Sequence, residues 1–145
     1  MSGVLRIAAA VILDAEGRML VVRKRGTSAF MQPGGKLEPG ETGAECLARE
    51  LDEELAIVVD PTELAYLGRY AAPAANEAGW SVDCDVFRLR SGSPSEQSES
   101  RGPEIEVRAE IEEARWATRD ELLVLAERGL LAPLTRDNLE AFLAG

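Results

Sequence analysis

The segment PGGKLEPGETGAECLARELDEELAI, residues 33–57, constrains this chain more than any other. A proline followed by two glycines breaks regular structure. Thr42 is a good N-cap and Glu45 lies three residues on, a capping-box pattern. Ala44, Leu47, Ala48, Leu51 and Leu55 recur at helical spacing, which predicts a helix over Thr42–Leu55 with one buried stripe. Glu50, Glu53 and Glu54 are helical neighbours. At about 100° per residue they cover an arc of roughly 100°, beside the apolar stripe and not opposite it. Like charges so placed cost a few tenths of a kcal/mol per pair in water, and more if partly buried. A divalent cation reverses that sign, and it can bridge phosphate oxygens and activate a water. The plainer reading of the same residues is a solvated acidic helix face.

The segments around that helix read as one domain over residues 1–145, without internal repeats. Val4 to Leu13 is an apolar run expected to be a buried strand. Asp14 to Gly17 is a turn, and Met19 to Arg25 reads as a second strand pairing with the first. Gly26 to Gly35 is expected to be a loop. Leu64 to Ala72 and Ser81 to Arg90 read as strands, and Ile105 to Trp116 as one or two more. Thr118 to Arg128 is a second helix, capped by Thr118 with Glu121 and stopped by Gly129. Leu134 to Leu143 is a short terminal helix. The serine-rich stretch 91–102 is expected to be a mobile loop. Strands around a core with interrupting helices predict an α+β sandwich rather than a doubly wound sheet.

Composition narrows the chemistry. Sixteen Lys and Arg against 26 Asp and Glu leave a net charge of −10. That disfavours unassisted binding to long nucleic acid, whose affinity rests on neutralising phosphates. A small anion needs local basic groups or a metal. The 145 residues contain no histidine, which excludes Ser-His-Asp and Cys-His catalysis and histidine metal ligation. Any metal here sits among oxygens, which favours magnesium, manganese or calcium. Cys46 and Cys84 form no disulfide framework or zinc pattern, and both are expected to be reduced and packed. The apolar start leads into a turn and another strand, so it reads as a core strand and not a signal peptide. No run is long enough to cross a bilayer, so no membrane partner is expected and the expected home is the cytoplasm.

Residues 35–57 resemble the signature of the Nudix hydrolase family, G-x5-E-x7-R-E-U-x-E-E-x-G-U, with U a bulky aliphatic. The chain supplies Gly35, Glu41, Arg49, Glu50, Leu51, Glu53, Glu54 and Ile57. Eight of nine specified positions match, and Ala56 stands where glycine is expected. A left-handed alanine there costs on the order of 1 kcal/mol. The carboxylates lie upstream of it, so activity is expected to survive.

The resemblance implies an α/β/α sandwich with a mixed sheet. It implies hydrolysis of a nucleoside diphosphate linked to another group, with water attacking phosphorus. Glu50, Glu53 and Glu54 would hold Mg2+, or Mn2+ in its place, helped by the Gly34 carbonyl. Glu50 or Glu53 would act as general base, Arg49 would orient the glutamates, and Glu41 would support it. Some members add a glutamate six residues before a tryptophan that closes a late strand. Glu110 stands at that distance from Trp116 and is a further candidate ligand, or an ordinary exposed acid.

Basic residues before the glycine loop contact substrate phosphates in related enzymes. Arg23 and Arg25 share a strand face, with Lys24 on the other, so Arg23, Arg25 and Gly35 are the candidate substrate contacts. Tyr70, Asn76 and Trp80 are weaker candidates for a base or leaving group, with packing and turn roles as their alternatives. The expected partner is a small nucleotide, with a homodimer possible in this family. A catalytically silent nucleotide sensor on the same fold is the alternative function. Isoprenoid diphosphate isomerisation ranks last, because neither cysteine obviously fits it.

Overall fold

In the computed structural model, β1 (Val4–Val11) is buried on both faces in its second half. The model describes residues 3–89 and 105–144, and the stretch 91–102 lies outside them. Alternate side chains of β1 serve two separate cores. Ala8, Ala10 and the following Ile12 pack with Leu47, Leu51 and Leu55 of helix α1 (Gly43–Leu55). Ala9 and Val11 pack with Leu122 and Leu125 of α2 (Arg119–Glu127), Leu134 of α3 (Pro133–Asp137) and Phe142 of α4 (Leu139–Leu143). A strand covered on both sides has no polar face to show, which is why its sequence is a continuous apolar run. The layers are therefore α1, then sheet, then α2 to α4, an α/β/α sandwich.

The sheet is mixed. β1 pairs antiparallel with β3 (Gly34–Lys36), matching Ala9 to Gly34 and Ala8 to Gly35. Its other edge runs parallel to β5 (Ser81–Leu89). β4 (Leu64–Pro73) closes the order β3-β1-β5-β4 through antiparallel pairing with β5. Gly34 and Gly35, expected in a loop, are thus strand residues. Gly34 sits at φ 154°, and a Cβ there would overlap the Ala8 carbonyl oxygen. Only glycine lets the two backbones come this close.

The expected pairing of β2 (Met19–Lys24) with β1 is corrected. Beyond an isolated bridge between Leu13 and Met19, β2 leaves β1 and pairs antiparallel with β6 (Ile111–Ala117). The turn between them is tight: Asp14 Oδ1 accepts from the backbone N–H of Glu16 and of Arg18, and Oδ2 from Arg18 Nε at 2.7 Å. It brings the strands together for one rung, and the twist then carries β2 to the second sheet.

Residues 105–110, expected to be strand, instead close off α1. The N–H of Glu106 donates to the Leu55 carbonyl at 2.9 Å, and that of Arg108 to the Glu54 carbonyl at 2.8 Å. Helix C-termini leave such carbonyls without partners, and this segment supplies them. The terminal helix is broken in two at Asn138, whose Nδ2 donates to the Leu134 carbonyl at 2.9 Å and competes with the backbone ladder. The capping boxes of α1 and α2 are both formed.

Ala56 ends α1 in the left-handed region, φ 59°, ψ 28°. The N–H of Ile57 donates across the turn to Leu51 at 3.1 Å. Alanine pays a steric penalty there that glycine avoids. Ala56→Gly is therefore expected to stabilise the fold by about 1 kcal/mol, a rise in Tm of roughly 3 °C. Gly34→Ala is expected to destabilise it by about 3 kcal/mol or more. Thermal denaturation of the two variants measures both.

Candidate functional site

Arg49 organises the centre of the site. Its Nε and one terminal nitrogen form a fork on Glu41, at 2.6 and 2.9 Å. The other terminal nitrogen donates to Glu50 at 3.0 Å and Glu53 at 3.4 Å. The fork continues to the Lys36 carbonyl at 3.3 Å, tying α1 to the end of β3. Glu41 also accepts from the Glu38 N–H at 2.9 Å. Its pKa falls to about 2, chiefly through the hydrogen bond from Arg49. Charged at every working pH, Glu41 fixes the guanidinium that aligns the other two acids.

Glu50 lies flat against Gly35, where any Cβ would collide with its carboxyl group. Burial holds its pKa above the usual carboxylate value, against the pull of Arg49. Glu54 is more extreme, at 6% exposure. Burial, and next the charge of Glu50, push its pKa up to about 8, while Lys24 pulls it down. Glu50 and Glu54 are near enough to share a proton. Glu53 is the solvated member, its side chain 56% exposed. Cys46, behind Arg49, faces the Gly35 and Lys36 carbonyls; burial raises its thiol to about 12, so it stays protonated.

Among the described residues, no three acidic side chains converge as a ready-made cation cage. Arg49 instead holds Glu50 and Glu53. The donor chemistry nonetheless fits a hard divalent ion: carboxylate and carbonyl oxygens only, two of the acids drawn out of water and lacking a full counter-charge. Glu110 is exposed, beside the left-handed Ala109, with its charge felt at Glu54.

The basic residues divide in an order opposite to the one expected. Arg23 donates to the Thr27 carbonyl at 2.8 Å and to Glu113, directly across from it on β6, at 3.3 Å. Arg25 is exposed and lies 3.8 Å from Glu112. Neither lines the nearby cavity, whereas Lys24 does. The reason is legible in β2. Lys24 continues the face of Leu20 and Val22, both packed on the α1 stripe, and that face leads to Glu54. The acids of β6 hold Arg23 and Arg25 elsewhere.

The cavity has a volume of about 110 Å³ and begins at Gly34, Gly35 and Lys24. It runs over the α2–α4 side of the sheet, along Leu5, Ile7 and Ala9. Asn76 lines its mouth. Tyr70 packs edge-on against Phe142 at 5.2 Å, and Trp80 covers Gly3, so both take the packing roles set against their candidacy. Gln32 and Thr135, which no motif singled out, are buried in the cavity wall.

Comparison with known proteins agrees with this geometry. The NUDIX domain family matches residues 4–138. Phosphatase NudJ of Escherichia coli (strain K12) is 27% identical over 141 residues, spanning 96% of this chain and 84% of that protein. The MutT protein of Methanosarcina mazei Go1 superposes with a TM-score of 0.74 at 22% identity, over 97% of this chain and 94% of its own. A NUDIX hydrolase from Nitrosomonas europaea gives 0.66 at 25% identity, over 97% and 89%. With the signature residues gathered at one end of α1 and a matching family over nearly all of its length, the chain belongs to the Nudix family.

Proposed function

We propose that this protein is a magnesium-dependent pyrophosphohydrolase that cleaves a nucleoside diphosphate linked to another moiety, with water attacking phosphorus. One observation supports it above the rest. The buried carboxyl groups of Glu50 and Glu54 abut Gly35, where the cavity opens. Phosphate chemistry and a place for the remainder of a substrate are thus adjacent. The similarity to a protein named as a phosphatase, across 141 residues, supports chemistry at phosphorus.

In this reading Glu50, Glu53 and Glu54 hold Mg2+ or Mn2+, with the Gly34 carbonyl and Glu110 beside them. Bound there, a divalent ion would offset the carboxylates and polarise a phosphoryl oxygen. The residues do the remaining work. Arg49 orients Glu50 and Glu53 and is itself held by Glu41. Lys24, on the cavity side, supplies positive charge to the phosphates in a chain of net charge −10. Glu50 or Glu53 takes the proton from the attacking water; burial makes Glu50 the stronger base, and exposure makes Glu53 the quicker to exchange with solvent. The natural setting is the cytoplasm, and a homodimer is compatible with the free edge of β4.

Glu53→Gln and Glu54→Gln are each expected to cut turnover by about a hundredfold or more, with the circular dichroism of the wild type retained. A broad nucleotide panel with magnesium, followed by chromatography of the products, measures this. If both variants kept wild-type rates, the assignment would be wrong.

The raised Glu54 pKa also dictates a pH dependence. The unfolded carboxyl loses its proton near 4.5 and the folded one near 8. Between those values the folded state binds more protons, so this group's stabilising contribution, full below pH 4.5, is lost as pH rises towards 8. Metal-free wild-type protein is expected to lose stability across that window. Glu54→Gln should flatten the loss, and magnesium should offset it at pH 8. Urea denaturation at several pH values, with and without magnesium, reads all three.

A further inference from the structure

The inner wall of the cavity carries chemistry that hydrolysis of a diphosphate does not use. Gln32 is 5% exposed and Thr135 is 1% exposed. The Gln32 amide nitrogen donates to the Ala10 carbonyl at 3.1 Å, and its oxygen accepts from the Thr135 hydroxyl at 3.0 Å. Those two bonds leave capacity unspent. A glutamine amide has two N–H donors and two lone pairs, and a threonine oxygen still accepts after donating. The pair therefore offers an N–H donor and an oxygen acceptor side by side in an otherwise apolar wall.

The rest of the lining sets what can enter. Leu5, Ile7 and Ala9 give it a flat apolar side. The charged residues that line it, Lys24, Lys36 and Glu77, are the less buried ones; Lys36 and Glu77 are exposed and face each other at 4.0 Å. A charged group would lose hydration on passing inward and find no counter-charge there. An uncharged planar ring would not. A cavity of about 150 Å³ holds benzene, so 110 Å³ with an open mouth admits a flat ring inserted edge-first.

We infer that this cavity binds the nucleobase of the substrate, and that Gln32, set by Thr135, is the residue that reads the hydrogen-bonding edge of that base. This rests on the nucleotide reading above and extends it from the phosphates to the base. Gln32 has a structural duty as well, since Ala10 N–H bonds Pro33 while Ala10 C=O has no ladder partner other than the Gln32 side chain. The test must separate the two duties.

Two measurements do so. In 15N-labelled wild-type protein, the Gln32 side-chain amide signals are expected to shift on titration with at least one of adenosine, guanosine, cytidine and uridine, and not with ribose. In kinetics, Gln32→Leu is expected to lower kcat/KM for the preferred nucleoside triphosphate, relative to base-free ribose 5-triphosphate, by about tenfold. Thr135→Val, a milder change, is expected to lower it by about threefold. Hydrolysis with silent Gln32 signals and unchanged ratios would overturn the base assignment, and a lower Tm alone would leave Gln32 a structural residue. Shifted signals without hydrolysis of any nucleotide would instead overturn the pyrophosphohydrolase reading and leave the base assignment standing.

Discussion

The guanidinium of Arg49 is the interaction on which this site depends. It reaches Glu41, Glu50 and Glu53 at once and touches the Lys36 carbonyl as well. Without it, three acids on one turn of helix would repel one another beside a buried fourth. With it, Glu41 stays ionised, Glu50 is pinned against Gly35, and the end of β3 is tied to α1. A lysine could not do this: it lacks the planar fork that grips Glu41 with two nitrogens while a third reaches the other acids. One cation is still too little for four carboxyl groups. The remaining repulsion appears in the raised pKa of Glu50 and Glu54.

Backbone geometry sets that interaction in place. β1 is the shared wall: its even-numbered side chains support α1 and the acids, and its odd-numbered ones support the cavity. β3 hydrogen-bonds to β1 through two glycines whose missing side chains make room for Ala8 on one side and Glu50 on the other. The acids and the cavity therefore meet at the edge of a single strand pair. The segment 105–110 holds the C-terminal end of α1 by its last carbonyls, so the helix bearing the acids is fixed at both ends.

Much of this was legible in the sequence, for physical reasons that differ by element. The α1 helix announced itself through period, cap and acids together, and β1 through an apolar run that only a doubly covered strand needs. β3 was hidden because three residues carry no period, and glycine pairs there by close approach rather than by propensity. The partner of β2 was hidden because strand pairing is non-local and the Asp14 turn resembles an ordinary hairpin. Residues 105–110 misled because Ile105 and Val107 alternate like a strand, yet Val107 is 45% exposed and the backbone caps a helix. Lys24 required knowing which face of β2 meets α1. Counting from Leu20 and Val22, both apolar, would have given it. Gln32 and Thr135 are 103 residues apart and meet only in three dimensions.

The central claim is that these acids are kept close because a divalent ion belongs among them. Crystals grown with Mn2+ and a non-hydrolysable nucleotide, measured at the manganese absorption edge, test it directly. The account predicts an anomalous peak bounded by Glu50, Glu53 and Glu54 next to the Gly34 carbonyl, with Arg49 still on Glu41. Nucleotide density with no manganese peak among those glutamates would contradict it.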